Sequence, residues 1–535
     1  MPDLPAQELY FAARREGGLE ETVMNTIDTH YDVVIVGAGV GGGAMANRLA
    51  KTGARVLMIE RGNYLPREAD NWSVKAVFHQ RKYTTKETWK DKNGNPFIPS
   101  TFYYVGGNSK FFGAATVRFR VEDFEELHHE DGIAPAWPVS YHEFAPYYDE
   151  AERLMGTHGT AGADPIEPPR SGPMPYPAIG HEPEIEAVAE KLRSKGLRPF
   201  PLPIAIDRHD GGKCIRCPTC DGFACKLGAK NDAEVRLVGP ALETGLVDLV
   251  LDTKVLRMLT DGSGRRVTGI EVEQAGATRV ISGDLFITSA GAINSTAILL
   301  RSANEKHPRG LGNNTSDQLG RNYMAHNNTA MMAINPLRKN RVKFQKSMAI
   351  NDFYLANAHR PWPMGNVQGL GKLQGGMLTA NAKWIPEWLM DLFAERSVDW
   401  WIMSEDLPRP ENRITLDSDG TIRVNYTPNN LTSHNELVRH WTRIMRSIGY
   451  PIVITQRMDI TVSMHQCGTA RFGNDPATSV LDPYGKVWDV DNLYVVDASF
   501  LPSSTGFNPS LTIVAQAIRV AEHIANNVLK ASTAA

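Results

Sequence analysis

At 535 residues the chain is longer than one simple hydrophobic core supports, so two domains are expected, each able to bury a substantial interior. A net charge of −3 with no long run of one sign offers nothing for nucleic acid or an anionic membrane to hold. The first 30 residues mix Arg14, Arg15, Glu16, Glu20 and Glu21 with scattered apolars, lacking the apolar core of a secretion signal; no later stretch reads as a membrane span, and a cytoplasmic location is expected.

Residues 1–27 read as an N-terminal arm that docks on the body or on a second subunit. The stretch 31–43 follows. Residues 33–36 are an apolar, β-branched run of buried-strand type, and Gly37, Gly39 and Gly42 give GxGxxG spacing at the mouth of a helix expected over 44–51. Glycine there permits the tight turn and lets backbone N–H groups approach a pyrophosphate. A second strand, 55–59, ends on Glu60, followed by Arg61. A carboxylate about 20 residues past the glycines suits both ribose hydroxyls of an adenosine, so strand, glycines, helix, strand and acid together predict a dinucleotide site.

Residues 104–119 form a Gly-rich loop bracketed by aromatics, able to lie flat against a ring system. His128 and His129 read as a solvated face. Seven prolines between 164 and 183 predict an extended arm, lid or linker. Cys214, Cys217, Cys220 and Cys225 place four of the five cysteines within twelve residues. Iron–sulfur and zinc sites use CxxCxxC spacing, but such residues also occur as plain thiols or a local disulfide, and no residue is assigned to a metal. Residues 247–258 and 266–273 look like strands returning to the dinucleotide unit, and 285–295 is another strand running through a Gly turn into a helix over 296–301.

The middle, 320–459, is rich in Trp, Met and Asn, with Trp384, Trp388, Trp400 and Trp401. Residues 414–424 alternate about an Asp419-Gly420 turn and predict a hairpin. Ser433 and Glu436 predict a capping box, with Leu437, Trp441, Ile444 and Ile448 following at helical spacing. At the carboxyl end, His465 precedes a Gly turn, a strand ends on Asp497, and Asn508, Pro509 and Ser510 open a long amphipathic helix. Its dipole and N–H groups can face an electron-rich ring edge. A neutral histidine beside it can take an alcohol proton.

Segments 31–62, 105–119, 285–302 and 465–524 resemble, in that order, those of the glucose-methanol-choline (GMC) flavoprotein oxidoreductases. HxxGT at 465–469 with Asn508-Pro509 carries the likeness furthest. The loop at 105–119 resembles that of pyranose oxidases; the run 473–480 and the cysteine segment resemble actinobacterial oxidases of sugars, glycosides and aminoglycosides, including C-glycoside 3-oxidases. The resemblance implies an α/β fold (α+β overall): a Rossmann-like FAD-binding domain from residues 28–120, 205–320 and 460–530, and a sheet-and-helix substrate-binding domain from 121–204, with the Pro-rich arm, and 321–459.

It also implies roles. Gly37, Gly39 and Gly42 would meet the FAD pyrophosphate, Glu60, next to Arg61, the adenosine ribose, Val255 the adenine, and Asp497 the ribityl and pyrophosphate. Gly107, Asn108 and Ser109 would lie along the flavin, with Asn508, Pro509 and Ser510 at the ring edge. His465 would be the base and Asn508 the second group on the substrate oxygen. Pyranose oxidases that tether flavin do so through a histidine two residues after the loop serine; that position is Phe111, so non-covalent FAD is implied.

The expected activity is oxidation of a secondary hydroxyl of a pyranose or (C-)glycoside, at ring carbon 3 or 2, with electrons passed to O2. A primary-alcohol or aminoglycoside oxidase and a sugar dehydrogenase with another acceptor are the alternatives among enzymes of this family. An electron-transfer protein using an Fe–S relay is disfavoured by the pairing of His465 with Asn508. An NAD-dependent dehydrogenase would leave Asn508 and the 105–119 loop without purpose. Homo-oligomerisation is left open.

Overall fold

A computed structural model describes residues 30–380, 386–462 and 464–530; the expected arm at 1–27 and Trp384 lie outside them. Strand His30–Val36 runs parallel to Val56–Ile59 on one side and Ala277–Thr288 on the other. Val33, Val34 and Ile35 are fully buried, because a parallel strand covered on both faces needs a continuous apolar run. Val247–Val250 extends the sheet beyond Val56–Ile59. Ala277–Thr288 also takes Leu493–Val495 as a parallel neighbour at its end, and along its first half Val267–Gln274, then Thr253–Thr260, add antiparallel strands. Chain stretches hundreds of residues apart thus complete one seven-stranded sheet, the discontinuous Rossmann-like α/β architecture expected. The terminal helix Ser510–Ile524 packs against Val40–Leu49 and Tyr141–Met155.

Three local expectations are corrected. The first helix spans Val40–Leu49, not 44–51, so Gly41, Gly42 and Gly43 lie inside it. Glycine costs about 1 kcal/mol in a helix interior, but here the helix must lie close to other backbone: a Cβ on Gly41 would stand 1.9 Å from the Val496 carbonyl oxygen. The run 247–258 is two strands, broken at Asp252 with φ of 50°. Helix Leu431–Ser447 begins after Asn430, also left-handed, so Ser433 is buried in its first turn and caps nothing.

A second sheet, six antiparallel strands in the order Ile452–Arg457, Asn327–Ile334, Ser397–Ser404, Asn366–Gly369, Met348–Ile350, Phe200–Pro201, faces the first. Helix Leu431–Ser447 covers its far side with Leu437, Trp441 and Met445. Trp400 meets Trp441 edge-on at 4.9 Å, Trp401 faces the other way and Trp388 is exposed. Strands Arg413–Leu416 and Ile422–Asn425 make the predicted hairpin. The Pro-rich stretch is tied down: buried Asp164 accepts from Arg120 and from Asn351 (2.7 Å). His128 is exposed, but His129 is buried with its Nε2 2.9 Å from the Glu405 carboxylate, which corrects the expectation of a solvated pair. No helix among the described residues is long and apolar enough to cross a membrane.

Candidate active site

A cavity of about 1070 Å³ opens between the carboxyl ends of the parallel strands and the second sheet. Val36, Ile59 and Glu60 contribute from the strand ends; Asn328, Ala330 and Met332, alternating along Asn327–Ile334, contribute from the facing sheet. Of the sequence-predicted residues, Gly37, Gly39, Glu60, Arg61, Gly107, Asn108, Ser109, Val255, His465, Asp497, Asn508, Pro509 and Ser510 line this one cavity. Gly42 does not: its missing side chain would stand 2.0 Å from the Gly37 carbonyl oxygen, so it serves helix–strand packing.

At one end the geometry suits a dinucleotide. Gly37 has φ of +101°, where side chains are strained. Gly39 has neither reason for being glycine: its backbone is ordinary, and no protein atom lies within 4 Å of where a Cβ would be. The open space beside it belongs to the cavity, as a close-lying pyrophosphate requires. Buried Glu60 accepts from the Ala38 N–H (3.0 Å) and the Gly62 N–H (3.1 Å), each carboxylate oxygen keeping a lone pair for a ribose hydroxyl. Burial raises its pKa, opposed by those N–H groups. The Arg61 guanidinium lies 3.6 Å from the Tyr103 ring centroid and 3.2 Å from Glu87.

Other predicted contacts work through the backbone. Gly106 and Gly107 turn the 105–109 loop with positive φ. Ser109 accepts from the Ala233 N–H (3.0 Å) and donates to Gly106, while Asn108 accepts from the Phe102 N–H (3.0 Å). Both side chains hold the loop against the cavity. Asp497 accepts from Gly291, Ser295 and Ser499, tying the turn before helix Ala292–Arg301 to the last parallel strand. Phe111, buried, stacks on Phe102 at 4.0 Å.

At the other end, His465 Nδ1 lies 2.9 Å from His326 Nδ1, and His326 Nε2 lies 2.6 Å from the Ser504 carbonyl oxygen. A carbonyl only accepts, so His326 Nε2 carries the proton and its Nδ1 accepts. His465 must then donate through Nδ1, leaving Nε2 as an unprotonated base. Burial, reinforced by His326 and by the Lys346 ammonium, holds His465 well below the ordinary histidine pKa; burial lowers His326 too. Asn508 Oδ1 accepts from Gln368 Nε2 at 3.1 Å, so the Asn508 NH2 is the end left to donate.

Sequence reasoning missed His326, Gln368, Lys346 and Asp221, all at this end. None stands in a recognisable motif; the one signal was the polar pair His326-Asn327 at the head of a buried strand. The five cysteines are free thiols. Among the described residues no three His, Cys, Asp or Glu side chains are grouped to hold a metal ion.

Comparison with known proteins gives the family. Family models described as GMC oxidoreductase match residues 15–326 and 408–517. Similar proteins include paromamine 6′-oxidase of Streptomyces fradiae, 30% identical over 95% of this chain and 93% of that one. Another is the large subunit of fructose dehydrogenase of Gluconobacter japonicus, 26% identical over 93% and 98%. The fold matches a crystal structure of pyridoxine 4-oxidase from Mesorbium loti with a TM-score of 0.64 at 18% identity, over 92% of this chain and 99% of that one. Two family models and near-full-length relatives place this chain in the GMC oxidoreductase family, enzymes that act on CH–OH groups.

Proposed function

We propose that the protein oxidises a secondary hydroxyl of a pyranose or glycoside, at ring carbon 3 or 2, to the ketone, with O2 reduced to H2O2. The observation that carries this reading is the unprotonated Nε2 of His465 in the same cavity as the dinucleotide cradle. FAD, held by Gly37, Gly39, Glu60, Arg61, the 107–109 loop, Val255 and the 508–510 helix start, supplies the hydride acceptor. His465 Nε2 takes the hydroxyl proton, and the Asn508 amide donates to the same oxygen. The His326 pair fixes the tautomer throughout. Phe111 in place of a tethering histidine argues for non-covalent FAD, released into solution when the protein is precipitated by acid. Location in the cytoplasm is part of this reading.

A second reading has one support: relatives at 30% identity are named as oxidases of paromamine at the 6′ position and of 6‴-hydroxyparomomycin C, which favours an aminoglycoside or primary hydroxyl. Anaerobic mixing of the yellow protein with free sugars and glycosides tests both. Bleaching that reverses in air with peroxide formed, and a ketone at ring carbon 3 or 2 by NMR, is expected. An aldehyde product establishes the second reading; bleaching that persists in air means another electron acceptor, and no bleaching by any sugar overturns the assignment.

The lowered His465 pKa sets a pH dependence. A base must be unprotonated, and its pKa lies well below 6.5, so kcat/KM is expected to hold constant as pH falls through 6.5 and to drop only well below it. An acid limb centred at or above 6.5 would exclude His465 as the base in this state.

A further inference from the structure

The reaction above gives no role to the segment of Cys214, Cys217, Cys220 and Cys225. What that segment delivers to the cavity is Asp221. Its carboxylate accepts from Lys346 Nζ at 2.7 Å and from the Gly371 N–H at 2.6 Å, and all three residues line the cavity with His465. The segment is braced from behind: buried Lys230 donates to the carbonyls of Cys220 (2.7 Å) and Phe223 (2.8 Å), and the Gly222 N–H donates to Phe111.

Lys346 is 4% exposed, and its ammonium carries three donors, of which Asp221 takes one. No other hydrogen bond from it is made among the described residues. Two glycines make room for the pair. A Cβ on Gly113 would stand 2.0 Å from Lys346 Nζ and 1.8 Å from the Asp221 carboxylate; one on Gly371 would stand 2.9 Å from Asp221 Cβ. Strand Asn366–Gly369 runs alongside, and its Gln368, which lines the same cavity, has Oε1 buried with no hydrogen-bond partner. Unspent donors on a buried ammonium and an orphaned buried amide oxygen are both unfavourable until something completes them.

We propose that Lys346, Asp221 and Gln368 form a hydroxyl-binding subsite for an uncharged polyol. Lys346 donates to the oxygen on a carbon beside the one oxidised, and Asp221 and Gln368 Oε1 accept from neighbouring hydroxyls. The subsite rests on the sugar-oxidising reading and narrows it to substrates with adjacent hydroxyls and no net charge. Lys346 and Asp221 cancel, and the cavity lining as a whole carries six basic side chains against four acidic ones, so a polycationic amino sugar finds no surplus of carboxylates. The Lys346 ammonium also helps keep His465 neutral.

The test compares methyl β-D-glucopyranoside, its 2-deoxy and 4-deoxy analogues, and benzyl alcohol, as reductants of the holoenzyme flavin. In wild-type protein at least one deoxy analogue should lose roughly 10-fold or more in kcat/KM. Lys346→Met and Asp221→Asn, checked for unchanged FAD content and melting temperature, should raise KM for the glucoside by roughly 10- to 100-fold with a smaller change in kcat; assayed well above pH 6.5, where burial alone keeps His465 neutral, they should cost benzyl alcohol, which has no neighbouring hydroxyl, far less. Calorimetric titration of the glucoside into His465→Ala protein, with and without Lys346→Met, should show the same loss of affinity. Equal losses on glucoside and benzyl alcohol, deoxy analogues as good as the parent, or tighter binding of glucosamine than of the glucoside would overturn the subsite. Wild-type flavin reduced by glucoside with the variants unmoved overturns it alone. Wild-type flavin reduced by no glycoside overturns the sugar reading with it.

Discussion

Alanine at His465 is expected to reduce kcat by roughly 100- to 10,000-fold, the range that a positioned general base contributes, while the purified protein stays yellow. The large effect follows from geometry. With His326 Nε2 committed to the Ser504 carbonyl, the paired Nδ1 atoms leave His465 Nε2 as the available proton acceptor. The retained colour follows because the His465 side chain hydrogen-bonds to His326 and not to a residue of the dinucleotide cradle, and its removal enlarges a cavity already open. A variant within tenfold of wild type, at matched FAD content, would remove His465 from the chemistry. Loss of flavin together with activity would make its role structural.

The second large effect separates two glycines of one motif. Gly42→Ala should prevent the nucleotide sheet from closing on its first helix, because the new Cβ would meet the Gly37 carbonyl at 2.0 Å and no side chain can move aside. A backbone clash of that kind costs on the order of 3 kcal/mol or more, read as a fall in the melting temperature of the apoprotein. Gly39→Ala meets no protein atom within 4 Å, so the apoprotein should melt as wild type does while FAD binds roughly 10- to 100-fold more weakly. Differential scanning calorimetry of apoprotein and FAD titration of each variant distinguish the two. Unchanged FAD affinity in Gly39→Ala would move the pyrophosphate elsewhere.

The contrast between these glycines shows how far the sequence reaches. Spacing alone names both, but only the packed helix tells which one touches protein and which one faces open space. The same limit applies at Ser433, where a capping pattern is present and the helix nevertheless begins earlier, after Asn430. A local pattern competes with the tertiary packing that buries Leu437, Trp441 and Met445, and packing sets the start. His129 is a further case: its exposed neighbours in sequence suggest solvent, yet Glu405, far along the chain, receives it in the interior.

By itself the sequence determined the parts whose physics is local. The apolar β-branched strand, the glycine turn, the acid that ends the second strand, the Asp419-Gly420 hairpin and the histidine before its Gly turn all depend on neighbours within about 30 residues, where backbone preference and side-chain period act directly. Only the tertiary structure decided what stands around His465 and Asn508. His326 reaches His465 across 139 positions, Gln368 reaches Asn508 across 140 and Lys346 reaches Asp221 across 125. Such partners are chosen by how loops and strand ends far apart in the chain come together around the cavity, and nothing in the residues flanking them records the choice. Hence the glycine turn and the acid that ends the second strand were legible in the chain, and the His326–His465 pair and the polar wall beside it were not.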